Sequence, residues 1–234
     1  MIATLPLAFF AVADHQHSPS EPRLLARGPW SPEDVDASWI DTPFDAPPEL
    51  SRDADAAIRE LRERGSPSHD GLSGRLAAWE ANDGRLTVRL QPLRWSLRLA
   101  GDACGSMSAL CVTRDAQGRW LAGRRAPWVA SWAGRWALGA GGAVDLGESP
   151  AETLSRELRE EWSVEAERIQ GEALIELPRG MVMFVGQAWL AEGDESRVKP
   201  DAEHDEWAWW PAKIEDWPAE GDALRAMAGM LWPS

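Results

Sequence analysis

Apolar and polar positions change rhythm several times along the chain. Residues 1–13 (MIATLPLAFFAVA) form a short apolar run broken by Pro6, which predicts an opening strand. From His15 to Pro48 the sequence is dense in Pro, Asp and Ser (SPSEP, SPEDVD, DAPPEL), so a largely irregular segment is expected there, anchored by Trp30, Trp39 and Phe44. Ala54, Ala57, Ile58 and Leu61 then fall at i, i+3, i+4 and i+7, the period of a helix, with Ser51 as its cap and Gly65 as its stop. Beyond Arg75 the period becomes two. Leu86, Val88 and Leu90 alternate with Arg85, Thr87 and Arg89, and Trp95, Leu97 and Leu99 alternate with Arg94, Ser96 and Arg98. Two strands joined around Gln91 and Pro92 fit that alternation.

A break at Gly101 to Gly105 marks a domain boundary, which divides the chain into an amino-terminal accessory region, 1–104, and a second domain, 105–234. In the second domain strands are expected at 109–113, 120–124, 136–138, 173–176, 181–188 and 206–210, with a turn at 115–118 (DAQG) and a glycine cluster of Gly139, Gly141 and Gly142. A helix should start after Ser149 and another cover 222–231.

Composition narrows the chemistry. The 234 residues include 15 Trp and no Tyr, so aromatic stacking falls to Trp and four Phe, and no phenol is available as nucleophile or acid. A formal charge of −14 disfavours extended nucleic acid as a partner, while a small anionic ligand held through a divalent cation stays compatible. Cys104 and Cys111 are too few for a disulfide framework and read as free thiols in a reducing compartment. The Ala-Val-Ala ahead of Asp14 imitates a cleavable signal, yet no Lys or Arg precedes it. No stretch approaches the roughly 20 apolar residues of a membrane span, and a cytoplasmic location is expected.

The stretch from Gly142 to Val164 (GAVDLGESPAETLSRELREEWSV) carries the chemistry. Ser149 as N-cap, Pro150 at the first helical position and Glu152 three residues after the cap make a capping box, which fixes the helix register. With Glu157 set at zero, Glu160 falls at about −60° and Glu161 at about +40°, beside an apolar stripe of Ala151, Leu154, Leu158 and Trp162. Three carboxylates crowded on one face are unfavourable unless a cation sits among them. Oxygen ligands of this kind suit Mg²⁺, whose remaining positions are commonly completed by water and substrate phosphates. Arg156 is placed to orient a carboxylate or neutralise part of the cluster. An acidic helix is more often a solvated face. What sets this one apart is the conjunction of glycine-rich turn, Glu148, capped helix and fixed carboxylate spacing.

At these residues the sequence resembles the Nudix hydrolases. The family signature reads Gly142, Glu148, Arg156, Glu157, Leu158, Glu160, Glu161 and Val164, with Ser163 in place of the final Gly. The resemblance extends over about residues 106–217. It implies an α+β fold: a Nudix α/β/α sandwich with a mixed sheet, here carrying an amino-terminal α/β accessory region. It also implies metal-dependent hydrolysis, with Mg²⁺ or Mn²⁺, of a nucleoside diphosphate linked to another moiety, such as a nucleotide sugar or ADP-ribose. By resemblance Glu157, Glu160 and Glu161 are metal ligands and Gly142 offers a backbone carbonyl near the metal. Arg156 orients Glu157, and Glu203 or Glu206, with Glu203 preferred, is the outer base. Arg124, Arg125, Trp136, Gly141 and Gly142 are the candidate substrate contacts. The alternative is a silent Nudix domain that senses a nucleotide, and isomerisation of a prenyl diphosphate would need a catalytic Cys that no local pattern supports. The chain is compatible with a monomer or a homodimer.

The substrate markers are thinner. Pro178 falls about where ADP-ribose-cleaving members place a Pro, although a strand boundary explains it as well. Arg85, Arg89, Arg94 and Arg98 would line one face of the expected hairpin, either solvated or facing the anionic end of a substrate. Ser163 would occupy the left-handed position after the helix, where a Ser costs about 1 kcal/mol relative to Gly.

Overall fold

A computed structural model describes residues 11–12, 21–68, 70–100 and 104–231. In chain order the strands and helices are β1 (Ala11–Val12), β2 (Arg23–Trp30), β3 (Val35–Trp39), α1 (Pro48–Glu63), β4 (Leu72–Asn82), β5 (Arg85–Arg94), β6 (Met107–Arg114), β7 (Trp120–Arg125), β8 (Trp136–Leu138), β9 (Ala140–Ala143), α2 (Pro150–Trp162), β10 (Arg168–Glu176), β11 (Val182–Trp189), β12 (His204–Trp210) and α3 (Asp222–Leu231). The expected opening strand is represented by Ala11–Val12; the rest of that run, and residues 101–103 where the boundary was placed, lie outside the described residues.

Eight strands form a mixed sheet whose spine runs β12-β7-β6-β11-β10-β2, with β8 on β7 and β9 on β6. β6 and β11 pair in parallel, Met107 opposite Val182, while their other neighbours are antiparallel. Alternation along β6 sends Met107, Ala109 and Cys111 toward α2, where they pack with Leu154, Leu158 and Trp162. Val112 joins the opposite cluster, with Trp120, Trp210, Trp217 and, from α3, Leu224 and Ala228. Helices therefore cover both faces, the expected α/β/α sandwich. Among the described residues no helix is long and apolar enough to cross a membrane.

The other sheet, ordered β1-β4-β5-β3, lies on the far side of α2. Its Leu76, Leu86, Val88 and Leu90 are buried in the same cluster as Leu154, Leu158 and Phe184, so the accessory region and α2 share one core. Backbone bonds tie the two parts together. Gly74 N–H donates to the Val144 carbonyl at 2.7 Å and Leu76 N–H to the Gly105 carbonyl at 2.9 Å.

Three expectations for the first hundred residues are corrected. The stretch expected to be irregular contains two strands, because β10 supplies the ladder for β2 and β5 that for β3, partners that no local pattern reveals. α1 starts at Pro48 rather than after Ser51, with Pro at its first position, where the missing N–H costs nothing. The hairpin turns at Asp83-Gly84, not at Gln91-Pro92. Both residues have positive φ, 49° and 76°, as a two-residue turn between twisted strands requires. β5 therefore runs on through Pro92, and the alternation of Trp95 to Leu99 becomes a 3-10 turn, Trp95–Ala100. Asp70 holds that turn, accepting from Ser96 N–H at 2.9 Å and from Arg94 Nε at 2.7 Å, while Leu97 packs beside Ala54 of α1. The four arginines consequently share no face. Arg85 pairs with Asp36, Arg94 with Asp55 and Asp70, and Arg98 lies beyond the strand.

Candidate active site

Local chemistry fixes α2 at both ends. Ser149 Oγ accepts from Glu152 N–H at 3.2 Å and the Glu152 carboxylate accepts from Ser149 N–H at 2.7 Å, completing the capping box. At the other end Ser163 adopts the left-handed conformation (φ 57°, ψ 29°). Trp162, fully buried, donates from Nε1 to the Gly139 carbonyl at 2.9 Å, locking the helix to the glycine-rich segment that passes beneath it.

The helix presents its carboxylates unequally. Glu157 and Glu161 are buried, at 8% and 4% exposure, while Glu160 turns toward solvent. Arg156 binds the set together. Its guanidinium reaches Glu148 at 2.8 Å, Glu157 at 2.6 Å, Glu160 at 3.1 Å and the Ala143 carbonyl at 3.0 Å. Glu148 also accepts from Thr153 Oγ1 at 2.8 Å. Burial alone would raise the Glu148 pKa, but the hydrogen bonds from Arg156 and Thr153 hold it below the usual carboxylate value. A further bond reaches in from the accessory region, where Trp39 Nε1 donates to the Glu148 carbonyl at 3.1 Å.

Glu157 and Glu161 both open into one cavity of about 690 Å³. Burial pushes the Glu157 carboxyl up to about 7, against the attraction of Arg156. Burial likewise raises Glu161 well above its ordinary value, Arg125 opposing the rise and Glu157 adding to it. Glu161 Oε1 accepts from Gly141 N–H at 3.2 Å, whereas its Oε2 is buried without a hydrogen-bond partner. Gly142 lies so close to Glu157 that a Cβ there would stand 2.0 Å from Oε1.

Of the other expected site residues, Arg125, Gly141, Gly142 and Glu203 line this cavity, and Arg125 pairs with Glu203 at 2.8 Å. Glu206 lies outside it, exposed and paired with Arg124, which also binds Asp205. Arg124 is thus engaged with the acids of neighbouring β12 rather than in the cavity. Trp136 is likewise directed elsewhere, its ring packing on Trp210 with centroids 5.5 Å apart. Cys111 is fully buried, which pushes its thiol up to about 12 and leaves no nucleophile there.

The domain match decides the family: the family model described as NUDIX domain matches residues 106–226, just over half of the chain. The chain belongs to the Nudix family. This Nudix protein is therefore a hydrolase acting on phosphoanhydride bonds. Solved structures with similarity include the MutT protein from Methanosarcina mazei Go1 (24% identity, 55% of this chain and 96% of that chain, TM-score 0.42) and the MutT NUDIX hydrolase from Burkholderia pseudomallei (22%, 54% and 97%, TM-score 0.45). Another is a C. elegans Ap4A hydrolase binary complex (21%, 54% and 97%, TM-score 0.38). No curated protein matches the sequence.

Nudix hydrolases generally use divalent metal ions. Among the described residues no three His, Cys, Asp or Glu side chains converge as a ready-made cage, because Arg156 lies between Glu157 and Glu160 and Glu161 faces Arg125. The donor chemistry nonetheless fits a hard cation. Two buried carboxyls with raised affinity for protons share one cavity, and one of them has a buried oxygen that makes no hydrogen bond.

Trp95 and the stretch from Ser66 to Ser68 are cavity residues that the sequence did not single out, and His204 packs behind Glu161 without lining the cavity. His204 is buried, its ring 4.4 Å from that of Trp162 and its Nε2 3.7 Å from Glu161 Oε2. Its neighbour Glu203 was the only local pointer to it. Trp95 and Ser66 to Ser68 reach the cavity wall from the accessory region, which no spacing rule within 142–164 foretells.

Proposed function

We propose that this Nudix hydrolase cleaves the diphosphate of a nucleoside diphosphate linked to another moiety, a nucleotide sugar or an ADP-ribose-like compound, with Mg²⁺ or Mn²⁺. The observation that carries the reading is the pair Glu157 and Glu161, buried in the wall of one cavity, with Glu161 Oε2 making no hydrogen bond and Arg125 at 3.7 Å. Glu157, Glu160, Glu161 and the Gly142 carbonyl would hold the ion. When bound, a divalent ion offsets diphosphate charge and acidifies a coordinated water. Arg156 fixes the rotamer of Glu157 through a 2.6 Å bond and is itself braced by Glu148, so that wall is organised before substrate arrives. Glu203 lines the same cavity with Arg125 at 2.8 Å and takes the proton of the attacking water. Gly142, lacking a side chain, leaves room for the Glu157 carboxylate, and Gly141 donates its N–H to Glu161 Oε1, so both backbone positions serve the candidate phosphate site. Cys104 and Cys111, buried and in no disulfide, suit a reducing, cytoplasmic setting.

The test is a panel of nucleotide sugars, ADP-ribose, dinucleotides and nucleoside triphosphates incubated with Mg²⁺, assayed for release of mononucleotide. Turnover of a diphosphate-linked compound is expected, lost by orders of magnitude in Glu161→Gln with circular dichroism unchanged. Unchanged turnover in a Glu160→Gln, Glu161→Gln double variant would overturn the site, and preference for triphosphates would overturn the substrate class.

A further inference from the structure

One guanidinium in the cavity comes from outside the Nudix domain. Arg98, in the turn Trp95–Ala100, lines the same space as Glu157, Glu161 and Glu203. Its Nη2 donates to Ser108 Oγ at 3.1 Å and to Met181 Sδ at 3.7 Å, and the Trp95 ring centroid lies 5.6 Å from its guanidinium carbon. Both acceptors are neutral. Among the described residues no carboxylate pairs with Arg98, whereas Arg125 is paired with Glu203 and Arg156 with Glu148 and Glu157. Burial lowers the Arg98 pKa, with Glu157 and Glu203 opposing through space, but an arginine remains charged at any biological pH.

A partly desolvated cation with only neutral acceptors is unfavourable by itself, and the imbalance is relieved when an anion enters. The turn is also rigid. Leu97 and Ser96 are buried, and Asp70 accepts from Ser96 N–H at 2.9 Å, so the guanidinium is presented to the cavity by a fixed backbone. Arg125 and Arg156 already answer carboxylates, which leaves Arg98, in the same cavity and without a carboxylate partner among the described residues, as a cation available to the diphosphate. Its planar fork matches two oxygens of a phosphoryl group.

We propose that Arg98 binds a phosphoryl group of the substrate's diphosphate, so that the accessory region supplies a specificity-determining side chain to the Nudix active site. The proposal rests on the reading of this cavity as the phosphoanhydride site. It gives the accessory region a function beyond covering α2.

Arg98→Gln and Arg98→Lys in the full chain test it, with binding of inorganic pyrophosphate and of uridine followed by calorimetry in Mg²⁺, and KM and kcat measured on the best substrate of the panel. Arg98→Gln should weaken pyrophosphate binding and raise KM by about tenfold or more, with kcat within about threefold of wild type and uridine binding unmoved. Arg98→Lys should recover part of the loss, since it keeps the charge but not the fork. If Arg98→Gln does not fold, Arg98→Lys carries the same comparison. Pyrophosphate binding equal to wild type in a folded variant overturns the proposal, as does an equal loss of uridine and pyrophosphate. A wild-type protein that hydrolyses nothing, yet binds pyrophosphate through Arg98, overturns the proposed function and leaves this assignment standing. Hydrolysis that is indifferent to Arg98 does the reverse, and a wild type that neither binds pyrophosphate nor turns over overturns both.

Discussion

Replacing Glu157 by Gln should remove much of a pH dependence that the active-site carboxyls impose on stability. Glu157 is only 8% exposed, and burial pushes its carboxyl from 4.5 up to about 7 despite Arg156 at 2.6 Å. In the unfolded chain the same group titrates at about 4.3. Between those values the folded state binds a proton that the unfolded state has released, so stability falls as pH rises across the window. Below it the penalty is absent, and above about 7 it is present in full. At roughly 1.4 kcal/mol per pKa unit, the shift corresponds to a loss on the order of 3 kcal/mol. Glu157 and Glu161 titrate as a pair, and the measured slope belongs to both. Urea unfolding in EDTA at pH 5, 6, 7 and 8 reads it directly. Wild type should lose at least roughly 2 kcal/mol from pH 5 to 8, part of the full loss having already occurred by pH 5, Glu157→Gln clearly less, and Mg²⁺ should restore stability at pH 8 far more than at pH 5. A wild-type slope that is flat or rising, or a variant slope equal to wild type, refutes the reasoning.

Other substitutions probe separate links in the same structure. Ser163→Gly relieves a side chain from φ 57° just after α2 and should stabilise the protein by about 1 kcal/mol in thermal melts; an unchanged or lower Tm counts against this account of the helix end. Gly142→Ala would set a methyl 2.0 Å from Glu157 Oε1, forcing the carboxylate aside, so turnover should drop on the order of 100-fold while the circular dichroism spectrum is retained. Trp39→Phe removes the hydrogen bond to the Glu148 carbonyl and should cost about 1 kcal/mol in urea unfolding, with a lower kcat because Glu148 braces Arg156. A kcat equal to wild type would separate that strand from catalysis.

Much of the Nudix domain was legible because its signals are local. The capping box Ser149/Glu152 sets the register of α2 from four consecutive residues, and the short apolar runs of β6, β7 and β11 need no knowledge of their partners. Where the sequence was misread, the deciding interactions were distant. Alternation from Trp95 to Leu99 suits a strand, yet Asp70 and α1 bend that segment into a turn. The segment that became β2 and β3 has no strand signal strong enough to overcome its prolines until β10 and β5 offer hydrogen bonds. Asp83-Gly84 is itself a local turn signal, and its two positive φ angles mark the turn.

Helical spacing alone determined that Glu157, Glu160 and Glu161 share one side of α2, and that Arg156 lies among them. Only tertiary packing decided which of them are buried: all three line the cavity, but Glu157 and Glu161 are covered by neighbouring segments while Glu160 stays exposed. Packing also turned Arg124 outward to Asp205 and Glu206 and drew Arg98 inward from a region with no catalytic motif. Periodicity is a property of neighbouring residues, whereas burial and charge pairing depend on chain segments that meet only when the two sheets close on α2.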